Sequence, residues 1–131
     1  MRPGGIFFIK EIHPVAQAFE NQGVGRGELR LAYPYWEHAA PLTFPVRGSY
    51  ADPDADVGDV VEHGWGHGLG EIVTALIEAG LQLEWLVEQP YLEWGADFLL
   101  ERPGSDAWWL PDEVPGELPL MFSLKATKPA G

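Results

Sequence analysis

Two histidine-bearing stretches and one aromatic-rich segment hold the side chains best suited to chemistry. Glu11 and His13 follow the apolar run Ile6-Phe7-Phe8-Ile9 and stand just before Pro14. An imidazole has an ordinary pKa close to neutral, so His13 can act as a substrate contact or a general base. The alternative is a polar strand end with a satisfied ring. His63 and His67 bracket Trp65 in His63-Gly64-Trp65-Gly66-His67. Two imidazoles four residues apart can hold a metal from one helix face, but the glycines argue against a helix. No third ligand stands at a convincing spacing either. What remains is a pocket wall built on Trp65 and His67, or a packed indole flanked by bonded histidines. Tyr33, Tyr35, Trp36, Phe44 and Tyr50 form an aromatic segment. Aromatic walls suit a small organic acceptor and exclude water from it. Equally, such rings can simply hold the segment down.

Other patterns point to no chemistry. Asp52-Pro53-Asp54-Ala55-Asp56 opens like a calcium loop, but Val57 and His63 stand where that loop needs Gly and Glu. A solvated acidic loop is the reading that survives. Ser49, Ser105 and Ser123 lack a Gly-x-Ser-x-Gly elbow. The absence of cysteine excludes disulfides, thiolate metal sites and a cysteine nucleophile. With 8 basic against 20 acidic residues, the net charge of −12 argues against nucleic acid and anionic membrane surfaces as partners. No stretch approaches the ~20 apolar residues of a membrane span. The expectation is a soluble, cytoplasmic, acidic protein of one domain over residues 1–131.

The elements that must position these side chains are unevenly legible. Ile6–Ile9, continuing to Ile12, reads as a strand covered on both faces. Leu29, Leu31, Tyr33 and Tyr35 alternate with period 2, although Pro34 confines them to an edge. Val61, His63 and Trp65 alternate likewise, so the two segments are expected to pair as a hairpin. Leu69, Ile72, Val73, Leu76 and Ile77 make one apolar helical stripe over Leu69–Ala79, with Gly80 at the C-terminal cap position. Leu81, Leu83, Trp85 and Val87 then alternate as a strand. The final strand, Leu120–Thr127, places Leu120, Phe122, Leu124 and Ala126 on one face. Residues 89–119, with Trp94, Trp108 and Trp109 among Pro and Gly, read as a packed functional or covering loop.

The order of these segments carries a resemblance. Arg2-Pro3-Gly4-Gly5 runs into the apolar strand, an insertion follows, WGHGLGEIVTALIEAGL leads into another strand, and LPLMFSLKATKP closes the chain. From Arg2 to Pro129 the chain resembles the C-terminal half of class I S-adenosylmethionine-dependent methyltransferases, of the small-molecule or uncharacterised bacterial type. The resemblance implies an α/β, partial Rossmann-like methyltransferase fold. Its strands five to seven would carry one covering helix and an inserted β-hairpin, with strand seven antiparallel between five and six. It also implies methyl transfer from S-adenosylmethionine to a small-molecule acceptor, with the insertion covering that acceptor.

In that family the first half of the fold holds the cofactor, and no segment here matches it. Gly23-Val24-Gly25-Arg26-Gly27 reads G-x-G-x-G, but Gln17–Gln22 before it is no buried strand and no helix is expected after it. The expectation is therefore a truncated methyltransferase homologue that binds neither cofactor nor metal alone. Its candidate substrate contacts are Glu11, His13, Tyr33, Tyr35, Trp36, Trp65 and His67. The first strand should lie beside the last. A bare sheet edge and apolar face would then recruit a second copy or a complementing chain, burying Phe7 and Phe8. The alternative function is a non-enzymatic binding or oligomerisation module derived from the same fold.

Overall fold

In the computed structural model, which describes residues 1–49 and 51–131, the last strand is the centre of the principal sheet. Tyr50 of the aromatic segment lies outside the described residues. Strand β1 (Ile6–Ile12) and strand β4 (Gln82–Gln89) flank β8 (Met121–Thr127), and each pairs with it antiparallel. Strands β1 and β4 therefore run in the same direction without pairing. The first strand does lie beside the last, and the last is antiparallel to the strand that follows the long helix. The placement of β8 follows from its side chains. Phe122, Leu124 and Ala126 are completely buried on one face, and Met121 and Ser123 are also buried on the other.

Helix α2 (Leu69–Glu78) covers one face of this sheet. Its stripe of Leu69, Ile72, Val73 and Leu76 packs with Phe7, Ile9, Leu83 and Leu86 around Phe122, Leu124 and Ala126. Glu71 accepts a hydrogen bond from the Gly68 N–H at 2.6 Å and caps the first turn. Gly80 takes φ +73° just past the helix, the left-handed conformation that ends it.

The opposite face departs from expectation. Covering β1 on both faces would require a second layer along its whole length, and here that layer reaches only the end at Ile12 and Met121, where α1 and β5 pack. Ile6 and Phe8 are exposed, as are Trp85 and Val87 on β4. Phe7 points to the helix side instead and belongs to the core. The strict alternation expected for residues 81–87 also fails. A β-bulge at Glu84 shifts the register between Leu83 and Trp85, so Leu83 and Leu86 share the core face while Trp85 and Val87 face outward.

The hairpin forms with a different partner. Strand β3 (Val61–Gly64) pairs with β2 (Leu42–Pro45), not with residues 29–35. That earlier segment contributes one isolated bridge, Phe19 to Leu31, and Leu31 is exposed. Pro34 lacks the N–H that a ladder needs, and the short β2 carries no long alternation to announce itself. Helix α1 (Pro14–Gln17) is a single turn after β1. Residues 89–119 are not a plain loop, because they contain a small antiparallel sheet. In it β7 (Ala107–Trp109) lies between β5 (Tyr91–Leu92) and β6 (Leu100–Arg102). This sheet packs Leu92 with Phe98, Leu99, Leu120, Met121 and Ala16 into a second core. The architecture is thus a mixed, sheet-rich α/β one built from small antiparallel sheets. No helix among the described residues is long and apolar enough to cross a membrane.

Candidate functional site

Strands β1 and β4 end at the same edge of the principal sheet, and a cleft of about 770 Å³ opens beyond that edge. Ile12 closes β1 and borders the cleft, followed by Ala16 and Phe19; Leu92 and Phe98 come from the segment after β4. These residues form or pack against the second core, so the cleft floor is an apolar surface. The walls are aromatic. Tyr33 comes from the insertion, Phe44 from β2, Trp65 from the end of β3 and Trp94 from the turn after β5. The rings of Tyr33 and Phe44 meet edge to face at 5.7 Å and 69°, forming a corner.

Two charged side chains border the same space, Glu20 and Arg47. One Glu20 oxygen accepts the Asn21 and Gln22 N–H groups at 3.1 and 3.3 Å. The other lies 3.5 Å from the Tyr33 hydroxyl. Burial pushes that hydroxyl above its ordinary pKa, and the Glu20 charge adds to the shift. Arg47 has no carboxylate within ion-pair distance among the described residues.

The sequence-derived candidates divide sharply. Tyr33 and Trp65 line the cleft. The other five lie elsewhere. His13 is buried and caps α1: the Val15 N–H donates to its Nδ1 at 3.1 Å, which leaves the Nε2 proton to meet Glu88 at 2.7 Å. Both ring nitrogens are therefore occupied. Glu11 bonds the N–H of its neighbour Ile12 at 2.9 Å. The Tyr35 hydroxyl accepts the Leu69 N–H at 3.2 Å, and Trp36 packs edge-on against Tyr35 at 5.3 Å. This pair anchors the insertion at the start of α2, where Gly68 leaves room for the Tyr35 ring; a Cβ there would stand 2.7 Å from it. His67 is exposed. His63 hydrogen-bonds Thr43 across the hairpin at 2.9 Å.

Residue patterns did not single out Glu20, Arg47 or Trp94 as site residues. Trp94 sits beside Gly95, whose missing side chain allows the Trp108 ring to approach; a Cβ would meet it at 3.0 Å. Trp108 is thereby drawn into the core and Trp94 is left half-exposed at the cleft. Glu20 and Arg47 stand in irregular backbone, where no periodicity marks them.

The Gly23–Gly27 loop is a test for a bound methyl donor. A glycine-rich donor cradle needs backbone open to the ligand, between a strand and a helix. Here the Gly23 N–H donates to Asp97 at 2.7 Å, Gly25 to Glu28 at 2.8 Å, and Gly27 to the Phe98 carbonyl at 2.9 Å. The loop is committed to the protein's own acceptors, and these residues do not fit S-adenosylmethionine. In the acidic loop, the Asp54 and Gly58 N–H groups are likewise taken, by Asp52 and Asp56 at 3.1 and 3.0 Å. No cluster of three metal-ligating side chains occurs among the described residues.

No protein-family model, curated protein or solved structure matches this chain.

Proposed function

We propose that this chain forms the acceptor side of a Rossmann-like, methyltransferase-type fold, and that its aromatic cleft holds a small organic molecule. The donor, S-adenosylmethionine, would be held by residues other than these. One observation carries the reading: the cleft opens where two parallel-running strands end around a central antiparallel strand. Open α/β sheets bind ligands beyond the carboxyl ends of their strands. The four rings supply the apolar enclosure that methyl transfer to a small acceptor favours. Calorimetry with S-adenosylhomocysteine tests the division of labour. No micromolar binding is expected, and a micromolar complex with one ligand per chain overturns it. Tryptophan fluorescence tests the cleft. Small aromatic acceptors such as 4-methylphenol should change it saturably, and Trp65→Ala should abolish the response.

A second reading, an assembly module, has its own support. Ile6, Phe8, Trp85 and Val87 form an exposed apolar strip on the uncovered sheet face. The accessible surface of 8762 Å² for a 14.5 kDa chain also exceeds the about 6,900 Å² that size scaling gives. A second copy seated on this strip is the occupant proposed, since a standard interface needs only about 800 Å² per partner. Sedimentation at micromolar concentration should show a dimer that Phe8→Ser dissociates, and a monomer at all concentrations sinks this second reading.

A further inference from the structure

The cleft also carries information about the charge of its ligand. An aromatic ring presents a negative face, so a cleft walled by several rings attracts a positive group. Tyr33 and Phe44, an edge-to-face pair, border the cleft together with Trp65 and Trp94. Glu20 stands beside Tyr33, fixed by the Asn21 and Gln22 N–H groups and balanced by no basic side chain among the described residues. A chain at −12 also draws cations toward its surface. Arg47 borders the cleft as an unpaired cation, which disfavours a ligand that is positive throughout and favours one with an anionic end.

We propose that the cleft binds a zwitterion: a cation wrapped in methyl groups, held by the rings and Glu20, joined to a carboxylate that meets Arg47. Resting on the reading of the cleft as a small-molecule site, this inference names the class of molecule that site selects. A trimethylammonium head suits the walls because its charge is spread over methyl groups, which make dispersion contacts as well as cation–π contacts. A bare ammonium would have to shed a strongly held water shell, and among the four rings and Glu20 only the Glu20 carboxylate and the Tyr33 hydroxyl could replace it. A guanidinium fork at Arg47 matches a carboxylate in two parallel hydrogen bonds.

The test uses the intact chain and four probes, read by tryptophan fluorescence and calorimetry. The first is 4-trimethylammoniobutanoate. The second, 5,5-dimethylhexanoate, has the same shape but replaces the positive nitrogen by carbon. Butyltrimethylammonium lacks the carboxylate, and 4-methylphenol is an uncharged aromatic. The zwitterion should bind saturably and at least about tenfold tighter than its carbon isostere, the discrimination that a desolvated cation–π contact supplies. Glu20→Gln keeps the hydrogen-bond acceptor but removes the charge, and should weaken the zwitterion several-fold more than its carbon isostere. Arg47→Gln should bring the zwitterion down to the level of butyltrimethylammonium. Trp65 and Trp94 are half-exposed, so Trp65→Ala should fold normally, with an unchanged unfolding midpoint as the check. Equal binding of the zwitterion and its carbon isostere overturns the inference. So does binding of 4-methylphenol alone, which leaves the cleft standing as a small-molecule site. If none of the four binds, the reading of the cleft falls with it.

Discussion

The His13 imidazole and the Glu88 carboxylate meet at 2.7 Å, tying the residue that follows β1 to the penultimate residue of β4. The two strands never pair directly, because β8 lies between them, and Phe122 of β8 packs edge-on under the His13 ring at 6.1 Å. The contact therefore clamps the end of the sheet from which the cleft floor begins. His13→Ala removes this bond and the cap of α1 and opens a space beside Phe122. It should cost about 2–3 kcal/mol, read by urea unfolding. Glu88→Gln keeps an acceptor for the Nε2 proton on a half-exposed side chain and should cost under about 1 kcal/mol. Equal losses would show that the charge, not the hydrogen bond, holds the clamp.

Leu124 is fully buried at the centre of β8, opposite Ile9 on one side and Leu86 on the other. Leu124→Ala should destabilise by about 3 kcal/mol, since packed neighbours on two strands and a helix cannot all collapse into the cavity. Phe8→Ser on the open face should change monomer stability by less than about 1 kcal/mol, because Phe8 is already exposed and loses mainly its edge contact with Trp85 at 5.8 Å. Equilibrium unfolding of both variants at low protein concentration ranks them, and a reversed order contradicts the assignment of the faces.

Acid should weaken the fold through the bulged Glu84. Hydrogen bonds from Lys125 and Thr127 hold its carboxyl below the ordinary value of 4.5. A native pKa below the unfolded one means that the native state binds fewer protons. The stabilisation is therefore present above pH 4.5 and is lost as pH falls through the lower native value. Glu84→Gln should flatten the acid limb of a stability-against-pH curve. At the other extreme, the hydrogen bond to Glu93 raises Lys10 above its ordinary 10.5. Its contribution is intact below that value and disappears as pH climbs past it. A Glu84→Gln curve that parallels the parent's between pH 5 and 3, on the scale of ordinary carboxylate titration, would remove the acid assignment.

Gly80 at φ +73° lies after α2, and the adjacent Ala79 carbonyl accepts from the Lys128 ammonium at 2.8 Å. A β-carbon on residue 80 would be strained by the backbone and would stand 3.0 Å from that ammonium. Gly80→Ala should cost about 1–2 kcal/mol and lower the unfolding midpoint accordingly. A neutral outcome would mean that the turn relaxes to an ordinary φ.

The residue pattern by itself determined the helix, expected over Leu69–Ala79 and found over Leu69–Glu78, with its glycine stop, the strand that follows it, the strand near the end of the chain, and the extent of the first strand to Ile12. These are local properties: a repeat of 3.6 or 2 in apolar side chains, and a glycine or proline where the repeat breaks. The placement of the first strand beside the last was an implication of the family resemblance, and the sheet order matches it. Tertiary structure decided the rest. The bulge at Glu84 turned Trp85 and Val87 outward, because Lys125 and Thr127 on the neighbouring strand captured the extra residue. The hairpin partner changed from residues 29–35 to Leu42–Pro45, since pairing is chosen by available N–H and C=O groups on two distant segments, and alternation within one segment cannot rank its partners. The cleft shows the same division. Tyr33 and Trp65 were legible as aromatic residues in an insertion, but Glu20, Arg47 and Trp94 reach it from three separate stretches of irregular backbone. His13, Tyr35 and Trp36 have the residue types of a binding site, yet nearby backbone N–H groups and rings claimed them for holding the fold together.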